Sequence, residues 1–155
     1  MSYNFLLNRD YTSAEFNKLF SDCLDSLKDS LDGTDASIKS FLQKSYENMQ
    51  TISTVENGAL IAIIAVSINN GQVKYNYAMF GKDANNSRAY IYGDTWINGM
   101  TAFLEQNSIT KEKTYIGKNT KMINYHNTVH DSHSWTTTTN DADGYDDAEW
   151  SSRDS

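Results

Sequence analysis

Three histidines late in the chain, His126, His130 and His133, fall at i, i+4 and i+7. A continuous helix would align them on one face, and with Asp131 beside them such a trio can ligate a transition metal such as zinc. The neighbours argue against it. No glutamate follows His126 in a His-Glu-x-x-His arrangement, and Asp131 and Ser132 interrupt the segment. No metal is therefore expected. The acidic stretch Asn140-Asp-Ala-Asp-Gly-Tyr-Asp-Asp looks superficially like a calcium loop. Centring the register on Gly144 puts Thr139 first and Trp150 twelfth, where a carboxylate is required. It reads as a solvated charge run. Cys23 is the sole cysteine and lies in an apolar helical stripe, so it reads as a buried core thiol in a reducing compartment.

Two further segments carry groups that bind or move charge. The first is Lys82-Asp-Ala-Asn85-Asn-Ser87 with Arg88 next, and the second is Asn119-Thr-Lys-Met122-Ile-Asn-Tyr125-His126. In the second, His126 can donate a proton near neutrality and Tyr125 can do so when held against an acceptor. Taken alone, the first also reads as an ordinary polar loop and helix cap. The second also reads as a helix with Tyr125 in the core and His126 in solvent.

These groups need a scaffold, and the hydrophobic pattern predicts one. Tyr3 to Leu7 forms a first short strand. Thr12-Ser-Ala-Glu15 is a capping box. Phe16, Leu19, Phe20, Cys23, Leu24, Leu27 and Leu31 then share one helical face, with Asp32-Gly33 as the stop. A second helix begins at Thr34 or Asp35, with Ile38, Phe41, Leu42, Tyr46 and Met49 on its apolar side. Thr51 to Glu56, Ala59 to Ile68 and Gln72 to Phe80 read as an antiparallel meander joined by Asn57-Gly58 and Asn70-Gly71 turns. The middle strand is apolar throughout, so both its faces should be covered. A helix carrying Tyr90, Ile91, Ile97, Met100, Phe103 and Leu104 follows, weakened by Gly93 and Gly99. Lys113 to Gly117 is a short strand, and Asn119 or Thr120 caps a last helix through Val129. Tyr75 and Tyr77 share a strand face and are expected in the core.

Composition excludes several classes. At 155 residues, with 39% hydrophobic and 12% aromatic content, the chain can bury one core without staples. The net charge of −7 disfavours a nucleic-acid partner. From Asn140 onward six acids face Arg153 alone, so the tail carries −5 and the body −2. Residues 1–139 read as one domain and 140–155 as an acidic hairpin or disordered tail. The start MSYNFLLNRD shows no signal-peptide pattern. The longest apolar run is far below the roughly 20 residues a membrane helix needs. No membrane partner is expected, and the cytoplasm is the expected location. The absence of proline, with abundant asparagine, raises a biased, viral genome as the source, and then a host cytoplasm.

The order β-α-α-β-β-β-α-β-α with a closing ββ pair, together with the two segments, resembles the GNAT N-acetyltransferase superfamily across nearly the whole chain. It is in the style of the small divergent members found in tailed phages. The resemblance implies an α/β (α+β) fold, a mixed and mainly antiparallel central sheet flanked by helices. It also implies acetyl-CoA as cosubstrate and a small-molecule or peptide amine as acceptor. GNAT proteins hold the coenzyme pyrophosphate on a loop of pattern Gln/Arg-x-x-Gly-x-Gly/Ala after the third meander strand, where backbone amides must approach closely. On that pattern Lys82 takes the basic position, Asn85 stands where glycine is expected and Ser87 keeps the last position small. Phe80, Asn86 and Arg88 flank the same cofactor site, and Asp83 sets a negative charge beside it. Many GNAT enzymes then carry Asn-x-x-Ala-x-x-Leu-Tyr, whose tyrosine protonates the leaving thiolate. Asn119 matches, His126 stands at the tyrosine position and Tyr125 precedes it, so the resemblance makes Tyr125 and His126 the candidate acids. Glu56 is the only meander acid before Asp83, and a turn is a poor place for a general base. The alternative is a catalytically silent GNAT-fold phage accessory or structural protein, partnered by a second copy of itself or by a phage protein.

Overall fold

The computed structural model describes residues 3–82, 94–115, 134–140 and 145–151. The elements run β1 (Asn4–Leu7), α1 (Ser13–Ser30), α2 (Asp35–Asn48), β2 (Gln50–Glu56), β3 (Ala59–Asn69), β4 (Gln72–Phe80), α3 (Asp94–Gln106), β5 (Lys111–Tyr115), β6 (Ser134–Asn140) and β7 (Tyr145–Ser151). The helix expected from Asn119 to Val129 lies outside the described residues. Among the described residues no helix is long and apolar enough to cross a membrane.

The chain divides into two compact units, and β3, β4 and α3 each contribute residues to both. In the first unit (1–66 and 77–101) the hydrogen-bonded order is β1-β2-β3-β4, with β1 and β3 each antiparallel to β2. Local chemistry fixes its helices. Thr12 Oγ1 accepts the Glu15 amide at 3.1 Å while Glu15 Oε1 accepts the Thr12 amide at 2.9 Å, completing the capping box. Helix α1 ends at Ser30, with Leu31 already extended at φ −122°, so Gly33 (φ +126°) lies in the connection and does not form the cap itself. Thr34 then caps α2 by accepting the Ser37 amide at 3.1 Å. The apolar faces of both helices meet β2, β3 and β4 in one cluster that includes Phe16, Leu19, Cys23, Leu42, Ile63 and Met79. Each fully buried aliphatic side chain there contributes about 1.5–3 kcal/mol.

Leu60 to Val66 are all buried, so β3 is covered on both faces as its continuous apolar run requires. Asn57 and Gly58 (φ +50° and +79°) and Asn70 and Gly71 (φ +53° and +75°) make the two meander turns. Both residues of each turn need the left-handed region that Asn-Gly pairs tolerate. Helix α3 approaches the sheet closely at Gly99: a Cβ there would lie 2.6 Å from the Phe5 ring. This packing accounts for a glycine that weakens the helical pattern.

In the second unit (67–76 and 102–155) the order is β4-β5-β7-β6. β5 lies parallel to β4 from Gln72 to Tyr75, and β7 is antiparallel to both β5 and β6. The strand expected at Lys113–Gly117 begins two residues earlier, because Thr110 and Lys111 both donate to the Gly71 carbonyl at 2.8 and 3.1 Å and draw the chain into the sheet there.

Candidate active site

The end of β4 in the first unit is where the chain leaves the sheet toward the predicted cofactor loop. Alternation along the strand divides its side chains. Tyr77 and Met79 turn toward the helical core, where Tyr77 meets Phe41 edge to face at 4.9 Å and Met79 is fully buried. Phe80 turns the other way and meets Trp96 of α3, with ring centroids 6.1 Å apart.

Three hydrogen bonds fix the backbone at this end. The Tyr46 hydroxyl donates to the Tyr77 carbonyl at 3.4 Å. The Cys23 thiol donates to the Phe80 carbonyl at 2.9 Å, and the Gly81 amide donates to the Ile61 carbonyl at 2.7 Å. Ile61 is the extra residue of a β-bulge: Thr54 pairs with Ala62 and Val55 with Leu60. A Cβ on Gly81 would lie 2.7 Å from Leu19 Cδ2 and 3.0 Å from the Ile61 oxygen, so a side chain at this exit would have to displace Leu19. Burial keeps the Tyr46 phenol neutral by pushing its pKa well above the ordinary value, with the nearby Cys23 and Tyr11 acting in the same direction.

Of the residues predicted from sequence, Phe80 and Lys82 fall within the described chain. Lys82 is half-buried, one residue beyond the fixed Gly81. Asn85, Asn86, Ser87, Arg88, Asn119, Tyr125 and His126 lie outside the described residues, as do His130 and His133. Glu56 is buried at the end of β2. Cys23 is buried in the core, consistent with its helical stripe, and touches the candidate site through its thiol.

The second unit adds a pair that the sequence reading did not single out. Glu112 of β5 is a buried carboxylate, and the Tyr75 hydroxyl of β4 donates to it. Tyr75 is the last β4 residue registered against β5, opposite Thr114. Among the described residues, β4 then continues beyond that pairing to Phe80. A signal for Glu112 was present: in Lys111-Glu112-Lys113 the period of two sets the acid on the opposite face from both lysines.

No family model matches the chain, and no curated protein sequence matches it. Solved structures do. The chain is similar to a GNAT-family acetyltransferase from Staphylococcus aureus Mu50, with TM-score 0.58, 12% identity, and coverage of 98% of this chain and 100% of that one. It is similar to the Campylobacter jejuni N-acetyltransferase PseH in complex with acetyl coenzyme A, with TM-score 0.60, 14% identity, and coverage of 96% and 98%. It is also similar to AAC(6')-Ib in complex with ribostamycin and coenzyme A, with TM-score 0.64, 12% identity, and coverage of 99% and 94%. The chain has the GNAT fold.

Proposed function

We propose that this chain is an acetyl-CoA-dependent N-acetyltransferase acting on a primary amine. The observation that carries the reading is the path of β4. It leaves its parallel pairing with β5 at Tyr75 and runs on to a Gly81 exit crowded by Leu19 and the Ile61 carbonyl, ahead of Lys82. Backbone groups of Asn76 to Phe80 suit the amide-bearing arm of coenzyme A. By the resemblance of the segment 82–88 to a pyrophosphate loop, Lys82 and Arg88 are the residues that would meet its pyrophosphate.

The acceptor amine attacks the thioester carbon directly, with positioning supplying much of the acceleration. As the carbon–nitrogen bond forms, the amine proton passes to solvent. As the carbon–sulfur bond breaks, Tyr125 or His126 protonates the thiolate. The products are the N-acetyl amine and the free thiol, and the general acid regains its proton from solvent.

A second reading is a catalytically silent GNAT-fold protein, a phage accessory or structural component working in a host cytoplasm through protein contacts. Asn85 in place of glycine and the displaced tyrosine favour it. Isothermal titration of acetyl-CoA separates the two. Saturable one-to-one binding, weakened in both Lys82→Ala and Arg88→Ala, supports the enzyme. No heat at millimolar ligand sinks it and leaves the silent protein.

A further inference from the structure

The chain carries three Asn-Gly pairs, Asn57-Gly58, Asn70-Gly71 and Asn98-Gly99. Each holds the atoms for a reaction with itself. Glycine has no side chain to shield its amide nitrogen, so that nitrogen can attack Cγ of the preceding asparagine. A carbon–nitrogen bond forms, the side-chain nitrogen leaves as ammonia with the glycine amide proton, and a cyclic imide remains. Water then opens the imide at either carbonyl, giving aspartate or isoaspartate. The peptide between the two residues must rotate for the attack, so the rate depends on what holds the glycine.

The sequence makes the three pairs equivalent, and the fold separates them. Asn98 and Gly99 lie inside α3, and the Phe5 ring packs so closely that a Cβ on Gly99 would be 2.6 Å from it. Gly71 is anchored through its carbonyl, which accepts the Thr110 and Lys111 amides at 2.8 and 3.1 Å. The Ser108 carbonyl also lies 3.4 Å from where its Cβ would be. Asn57 and Gly58 have no such anchor. Both are exposed, and a Cβ on Gly58 would meet nothing within 4 Å. Among the described residues, no backbone hydrogen bond outside the helices and strands involves either one.

We infer that Asn57 is a site of spontaneous deamidation in the native protein, and that Asn70 and Asn98 are protected. The turn joins Glu56 to Ala59, which face each other across the β2–β3 ladder. Conversion to aspartate sets a new charge beside the buried Glu56 carboxylate. Conversion to isoaspartate adds a methylene to the backbone of a two-residue connection, so the turn no longer closes on the same register. The hairpin that ages is the one whose second strand supplies the Ile61 carbonyl to Gly81. The inference stands whether or not the chain transfers acetyl groups.

The test is incubation of the full chain at mildly alkaline pH and body temperature, with peptide mapping by mass spectrometry. The readout is the amide-to-acid mass gain at each pair. In urea the three pairs, alike in sequence, convert at rates within about threefold of one another. In the native chain Asn57 converts about tenfold or more faster than Asn70 and Asn98, which react only through local opening. The Asn57→Asp variant elutes with one of the two products and so assigns aspartate and isoaspartate. Asn70 or Asn98 keeping pace with Asn57 in the native chain overturns the inference. So does an Asn57 that stays intact in the native chain while the urea-unfolded chain converts. The aged chain melts below the fresh one, and an unchanged melt after full conversion overturns the loss of register.

Discussion

The Gly81 amide reaches the Ile61 carbonyl at 2.7 Å, and that carbonyl belongs to the bulged residue of β3. A bulge leaves one residue out of the ladder on its side and bends the strand locally. Here the bulged residue supplies the acceptor that fixes where β4 ends and the segment beginning at Lys82 departs. Position of the exit is thus set by the extra residue between Leu60 and Ala62 as much as by β4.

Gly81→Ala should test that link. The added methyl would sit 2.7 Å from Leu19 Cδ2 and 3.0 Å from a backbone oxygen that cannot rotate away. The variant should lose about 1–3 kcal/mol of stability, the usual range for overpacking, measured by urea denaturation. Acetyl-CoA affinity should fall along with it, because the displaced exit carries Lys82. An unchanged denaturation midpoint would show that Leu19 yields freely and that the exit is looser than its contacts indicate.

Cys23 should be inert in the native protein. Its side chain is 3% exposed and its thiol is directed at the Phe80 carbonyl. Reaction with an aromatic disulfide reagent should therefore occur only through opening of the protein, with a rate that rises with urea in parallel with unfolding. Cys23→Ala should cost about 1–2 kcal/mol through lost packing and leave that carbonyl without its donor. Fast labelling in water at full native signal would contradict the buried placement.

Much of the scaffold was legible because its signals are local. The capping box at Thr12, the helical spacing from Phe16 to Leu27 and the two Asn-Gly turns each depend on neighbouring residues alone. The end of α1 was less legible. Leu31 fits the apolar spacing, yet the helix stops before it, and an extended backbone there connects to the Thr34 cap. Gly81 and Gly99 gave no signal of their function, since each is explained by a side chain distant in sequence: Leu19 for one and Phe5 for the other. The Tyr75–Glu112 pair was hidden for the same reason. Thirty-seven positions separate its members, and only the parallel register of β4 with β5 joins them.

The first turn of α1 should make stability depend on acid. The carboxyl of Glu15 is held below its ordinary 4.5 chiefly by the hydrogen bond from the Thr12 amide; burial opposes this as the next effect, and Arg9 then lowers it further. A depressed carboxylate contributes stability that is present above its unfolded pKa and is lost as pH falls through the folded value. Glu15→Gln can still accept the Thr12 amide, so it isolates the charge. At pH 7 the variant should be less stable by about 0.5–1 kcal/mol, the scale of a helix-terminal charge with one partly buried partner. Thermal melts should show that gap closing as pH falls below 4.5 and through the depressed folded value, where wild-type Glu15 becomes neutral. A gap that persists at pH 2 would mean that shape, not charge, holds this turn.

Glu112 is where structural and chemical roles can be told apart. Tyr75→Phe removes the donor from a buried carboxylate and should cost about 1–3 kcal/mol whatever the chain does. Glu112→Gln keeps the shape and still accepts from Tyr75 through its carbonyl oxygen, so its stability should change less than that of Tyr75→Phe. As a proton acceptor, however, an amide is useless at neutral pH. If the pair draws the proton from the attacking amine, Glu112→Gln should slow acetyl transfer by about 10²–10⁴. The acidic limb of the pH–rate profile should disappear, while acetyl-CoA binding measured by calorimetry stays as in wild type. A variant that loses stability but keeps both its rate and that limb would make Tyr75 and Glu112 a brace between β4 and β5. The amine proton would then leave directly to water.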